Sequence, residues 1–202
     1  MSARRTSVPR SRLAVLAALL VGIPLALARP VPPSEERSVD AESAFGDIAR
    51  VLRHPRCLNC HPSDDRPTVG DDARRHDMNV QRGDDGHGRV GQRCDTCHRD
   101  ENQPLARIPG APHWHLAPRS MGWVGLDDHD LAEALKDPRK NGDRSLDDLR
   151  EHMASDPLVL WGWNPGPGRK AVPIPHSRFV ELLDIWIDGG APSPTPGVTS
   201  SF

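Results

Sequence analysis

The chain has 202 residues, a formal net charge of -2, 10 histidines, 4 cysteines, no tyrosine and 3 phenylalanines. A near-balanced charge without a basic stretch interleaved with aromatics gives no footing for nucleic acid. With 21 prolines, 17 glycines and few bulky side chains, side-chain burial alone offsets little of the entropy of ordering, so something else is expected to fill part of the interior.

The first element is a leader. "MSARRTSVPRSR" carries Arg4, Arg5, Arg10 and Arg12, and the apolar run "LAVLAALLVGIPLALA" leads to the small-residue site Ala26-Leu27-Ala28. That order predicts a secretory signal peptide over residues 1–28. A membrane anchor is the alternative, but the run is about 15 residues and broken by Pro24, against about 20 for a spanning helix. The mature chain is expected to begin near Arg29, periplasmic or otherwise exported, with no transmembrane span after cleavage. About 174 residues then remain, which suits one ordinary domain or two small ones.

Residues 29–39 read as a proline-rich, flexible lead-in. The following stretch sets Phe45, Ile48, Val51 and Leu52 on one helical face, with Ser38 or Asp40 as N-cap and Pro55 as the stop. Residues 61–92 read as a loop rich in glycine and aspartate, a length that suits a compact domain only where it lines a ligand. Residues 99–125 are punctuated by prolines. "LDDHDLAEALKDP" predicts a helix with Leu126, Leu131 and Leu135 buried and Pro138 as its stop. "DRSLDDLREHMASDP" predicts another, with Leu146, Leu149 and Met153 inward. "LVLWGWNPGPGRKAVPIP" reads as irregular. "SRFVELLDIWIDGGAP" lines up Phe179, Leu182, Leu183, Trp186 and Ile187 and stops at Gly189-Gly190. The domain is expected to span 40–192, with a disordered tail over 193–202; the fold class is mainly α with much irregular loop.

All four cysteines fall in two identical frames, "CLNCH" at Cys57–His61 and "CDTCH" at Cys94–His98. Disulfides suit an exported chain, and two CxxC pairs suit a four-thiolate zinc site. A third reading is C-x-x-C-H, the attachment frame of c-type haem. There Cys57, Cys60, Cys94 and Cys97 bind two haems through thioethers, and His61 and His98 become the proximal iron ligands. With about one residue in twenty a histidine, two CxxC pairs both close on His by chance on the order of once in 400. The frames therefore favour two covalent haems, which would also supply the missing apolar bulk, with the long proline-rich segment wrapped across the second haem.

The remaining iron positions fall to the loop that follows each frame. His76 and His113 each lie 15 residues after a proximal histidine, and Met78 and His115 each lie 17 after. The expectation is His76 on the first iron and His115 on the second, with Met78, Met121 and His113 as rivals. Two imidazoles imply lower potentials than an imidazole with a thioether. His54, His87, His129, His152 and His176 read as solvated, and Met153 as core.

A helix running into C-x-x-C-H, together with a final helix ending "WIDGGAP", resembles the cytochrome c fold. "HPRCLNCHP", "HDMNVQRGDDGHG", "CDTCH", "PGAPHWHLAPRSM", "LKDPRKNGDRSLDDLREHMASDPLVLWGWNPG" and "FVELLDIWIDGGAP" resemble a narrower group of exported dihaem cytochromes labelled isoquinoline 1-oxidoreductase subunits. The resemblance implies cytochrome c-like helices packed around two haems. It also implies an electron carrier between an exported dehydrogenase and a respiratory acceptor, an oxidase or small cytochrome. The label implies a molybdenum hydroxylase as partner, and this chain shows no molybdopterin or flavin motif of its own. The alternative is a dihaem peroxidase-type enzyme, which needs one open iron and an acid–base residue beside it. A haem-based sensor would need a fused signalling domain, and none is visible. The pairs Asp64-Asp65, Asp71-Asp72, Asp84-Asp85 and Asp127-Asp128 suit docking to a basic partner or a solvated face.

Overall fold

The computed structural model describes residues 39–201; the expected signal peptide and all but the last residue of the lead-in lie outside them. Helix α1, Ala41–Leu52, starts where the Asp40 carboxylate accepts the Ser43 amide at 2.7 Å. Its inward face, Phe45, Ile48, Ala49 and Leu52, packs on Phe179, Leu182, Leu183 and Trp186 of the last helix, α7, His176–Asp188. The rings of Phe45 and Trp186 lie 4.9 Å apart. At one end of this crossing stands Gly189, where a Cβ would overlap the Cβ of Ala41. The glycine that ends α7 therefore also lets the start of α1 come close.

Between these helices the chain is mostly irregular, with one antiparallel pair of two-residue strands, β1 Thr68–Val69 and β2 Arg74–Arg75. Four further helices follow: α3 Asp128–Lys136, α4 Pro138–Asn141, α5 Leu146–Ser155 and α6 Pro157–Leu160. Asp127 caps α3, and Ser145 with Asp148 forms a capping box on α5. The α3–α5 corner is tied by Asn141, which is 1% exposed. Its amide donates to the Leu135 and Arg144 carbonyls at 2.7 and 2.8 Å, and its oxygen accepts the Arg144 amide at 2.8 Å. A buried amide with both N–H donors and its oxygen engaged is a corner brace, since leaving it unpaired would be costly.

The described chain is mainly helical, and none of its helices is long and apolar enough to cross a membrane. Three expectations differ from what is found. Pro55 and Pro138 do more than stop helices: each opens a new short one, α2 (Pro55–Leu58) and α4, because a proline in the first turn loses no helical hydrogen bond. The stretch expected to be irregular after Asp156 begins as α6 and a 3-10 turn, Trp161–Trp163, with the Asp156 carboxylate accepting the Leu158 amide at 2.8 Å.

The third difference is the segment expected to be a disordered tail. Ser193 accepts from Lys136, Pro194 meets His129, Gly197 donates to Asp127, and Ser200 donates to Asp128. The cause is the acidic pair that opens α3: it gives the tail charged acceptors. Asp128 is thus no docking charge. It is 1% exposed and paired with Arg53 just after α1. Replacing Asp128 with Ala leaves that guanidinium only the Leu126 carbonyl, with no carboxylate, and frees the tail. The expected loss is about 3 kcal/mol, read as a lower Tm and as proteolysis of residues 193–202.

Candidate functional site

Helix α1 delivers the chain directly to the first C-x-x-C-H frame. His54 caps the single-turn α2, whose third residue is Cys57, and the His61 amide donates to the Cys57 carbonyl at 3.1 Å. The second frame is wound the same way: a 3-10 turn at Cys94–Thr96, with the His98 amide donating to the Cys94 carbonyl at 2.9 Å. Each frame is one helical turn, so its cysteines, three apart, and its histidine, four from the first, share a side.

The two histidines are also held alike. His61 Nδ1 lies 2.9 Å from the Met121 carbonyl oxygen and His98 Nδ1 lies 2.7 Å from that of Pro109. A ring nitrogen facing a carbonyl carries its proton, which leaves Nε2 as the basic nitrogen. Each ring is stacked on a tryptophan: His61 on Trp123 at 3.5 Å and 10°, His98 on Trp114 at 4.6 Å and 4°. Desolvation pushes His61 down to about 3 and lowers His98 as well. Both imidazoles are therefore neutral at physiological pH, the form in which an imidazole binds a metal.

Around the first frame, desolvation pushes the Cys57 thiol up to about 12 and Cys60 to about 11, with Cys94 of the other frame adding to the rise at Cys60. The two frames thus feel each other. Arg56 and Arg82, 4% and 6% exposed, also act on Cys60. Arg56 reaches the Gly70 carbonyl and Asp71, each at 2.7 Å, yet its Nε, like Nη1 of Arg82, has no hydrogen-bond partner among the described residues. Arg56 lies 5.7 Å from the centre of the Trp161 ring, and Trp161 meets Trp114 edge-on at 4.9 Å. A continuous run of rings and a guanidinium thus joins His98 to the turn bearing Cys57.

The long segment after the second frame is shared between the two. Gln103 bonds the Cys97 carbonyl, and Pro109 and Trp114 hold His98. From there it crosses to the first frame, where Ala117 donates to the Cys60 carbonyl at 3.1 Å and Trp123 to that of His61 at 3.1 Å. It was expected to wrap across the second haem, and it reaches the first frame as well. The crossing is fixed by the Leu116 amide on the Gly86 carbonyl, 2.9 Å; Gly86 has φ +79, and a Cβ there would strike the Leu116 carbonyl.

This threading decides where the candidate ligands fall. His76 lies beside His98, ring centres 6.0 Å apart. His115 stacks on His87 at 4.9 Å, and both line a cavity of about 520 Å³ with Arg82, Asp85 and Arg119. The expected pairing, His76 with His61 and His115 with His98, is not the one brought together: among the described residues no ring contact joins either pair. Met121 accepts from His61 Nδ1 and therefore sits behind that imidazole, with its side chain 5% exposed in the core. Met78 is 78% exposed, and His113 is exposed with φ +58. Of the histidines read as solvated, His87 lines the cavity, His54 caps α2, and His129 and His176 bond backbone carbonyls.

No group of three or more His, Cys, Asp or Glu side chains converges as a metal site among the described residues. Comparison with protein-family models, curated proteins and solved structures finds no match.

The half-buried, desolvated and protonated state of the first pair has a chemical consequence. In chain expressed without haem attachment, iodoacetamide at pH 8 should label exposed Cys97 first and Cys57 and Cys60 last, since alkylation follows the thiolate fraction and access. Mass mapping of the labelled peptides against time reads the order.

Proposed function

We propose that the protein is an exported dihaem c-type cytochrome that passes electrons between a dehydrogenase and a respiratory acceptor. One observation carries the reading. Both C-x-x-C-H turns present a neutral imidazole whose Nδ1 is fixed by a backbone carbonyl, at 2.9 and 2.7 Å, and whose ring is backed by a tryptophan. Metal-bound histidines commonly have their second nitrogen fixed in this way. A disulfide frame has no use for such an imidazole, and a four-thiolate zinc site would leave both unused.

The other residues fit a porphyrin with acidic side groups. Cys57, Cys60, Cys94 and Cys97 would hold the two groups as thioethers, and the unpartnered N–H donors of buried Arg56 and Arg82 would meet carboxylates beside the first. When bound, each haem supplies a one-electron couple. The chain's part is to hold the imidazole orientation and to exclude water with Trp114 and Trp123. Its arginines place positive charge next to the first frame. The buried cluster of α1, α3, α5 and α7 backs the first turn, and Gln103, Pro109 and Trp114 hold the second, so a change of oxidation state would need little rearrangement. The carrier reading also gives Asp65, Asp84 and Asp85, which line the cavity, a use in meeting a basic partner.

The intact mass of the exported protein is expected to exceed the polypeptide by twice a haem, and a spectroelectrochemical titration to show two one-electron steps. Replacing Cys94 and Cys97 together with Ala should remove one haem and one step. Absence of added mass would defeat the reading. Rapid turnover of hydrogen peroxide with an external reductant would replace the carrier by a peroxidase.

A further inference from the structure

The loop after the first C-x-x-C-H turn leaves that turn and reaches the other one. It begins at Thr68, whose hydroxyl donates to Asn59 Oδ1 at 2.7 Å, between the two cysteines of the first frame. The β1–β2 pair then sets Thr68 opposite Arg75, and the His76 amide closes on the Pro67 carbonyl at 3.1 Å. On its far side the loop is pinned by Gln92, two residues before Cys94, whose amide donates to the Met78 carbonyl at 3.0 Å. His76 is held between these two anchors.

From these contacts we propose that His76 ligates the iron of the second C-x-x-C-H turn, opposite His98, so that an arm rooted in the first turn completes the second. The inference rests on the dihaem reading and adds a residue assignment to it. Its geometry is direct. An atom bound by two opposed imidazoles, each with a metal–nitrogen bond of about 2 Å and a ring centre about 1 Å further back, holds the ring centres roughly 6 Å apart. The His76 and His98 centres are 6.0 Å apart, with planes at 65°. Crossed planes are allowed, because both need only contain the axis through the metal. The nitrogens agree too. His76 Nδ1 lies 2.8 Å from the Asp77 carbonyl oxygen and His98 Nδ1 2.7 Å from that of Pro109, which leaves Nε2 of each as the free donor. Met78, two residues on, has a left-handed φ of 63 and a side chain turned to solvent.

The test uses the holoprotein. In reduced protein labelled with 13C and 15N at histidine, the His76 ring protons should be strongly ring-current shifted. They should also show dipolar contacts to the thioether protons at Cys94 or Cys97. His76→Ala should convert one of the two ferric haems from low to high spin in electron paramagnetic resonance, leaving the other unchanged. His76→Met should restore the low-spin state, add the near-infrared charge-transfer band of thioether ligation, and raise one potential only. His76 lies on a surface loop, and an unchanged far-ultraviolet spectrum will show that each variant is folded.

Two low-spin haems in His76→Ala would overturn the assignment, as would contacts of His76 to thioethers at Cys57 or Cys60. Either result leaves the dihaem reading standing. A mass without haem removes both and is read on the unmodified protein before any variant is made.

Discussion

The crossing of α1 on α7 is the constraint from which the rest of the molecule follows. Phe45 and Trp186 meet across it, and Gly189 permits the close approach at its end. Helix α1 delivers Arg53 to Asp128 and then turns at Pro55 into the first cysteine-bearing turn. Helix α7 is tied back to α5 through His176 on the Met153 carbonyl and through Arg150 with Asp184 and Asp188. The apolar cluster is therefore concentrated behind the first frame, while the second frame is held by loops, indoles and backbone hydrogen bonds.

This division gives the two turns unequal surroundings although their local geometry is the same. The first has buried arginines, strongly desolvated thiols and a neighbouring cavity. The second has Cys97 exposed and Arg93 paired with Asp85 at 2.8 Å in solvent. Charge in a desolvated setting is felt more strongly than at the surface. In the proposed dihaem carrier, Arg56 and Arg82 would accordingly bias the first haem toward its reduced form more than the exposed ion pair biases the second.

Much of the helical frame was legible because its cues are local. Asp40, Ser145 and the apolar stripes of α1 and α7 mark those helices without knowledge of the fold, and the two C-x-x-C-H frames are contiguous in sequence. What escaped depends on contacts between distant segments. Trp114 and Trp123 stand in proline-rich stretches with no periodicity, and nothing local says that each backs a histidine. Equal offsets from His61 and His98 suggested that each loop serves its own frame. The chain instead crosses over at Gly86 and Leu116, a pairing no spacing rule encodes. The acidic pair opening α3 resembled a solvated face because its partners, Arg53 and Ser200, lie far away in sequence.

The α1–α7 clasp also bears on how the chain matures. Its first helix is buried chiefly by its last, so the start of the domain cannot close fully until nearly the whole polypeptide is present. Long-range pairing of this kind is slow to form. For the proposed dihaem protein such slowness would be useful: it would leave both sulfur pairs accessible on an open strand, the condition a covalent attachment step requires, before the clasp closes.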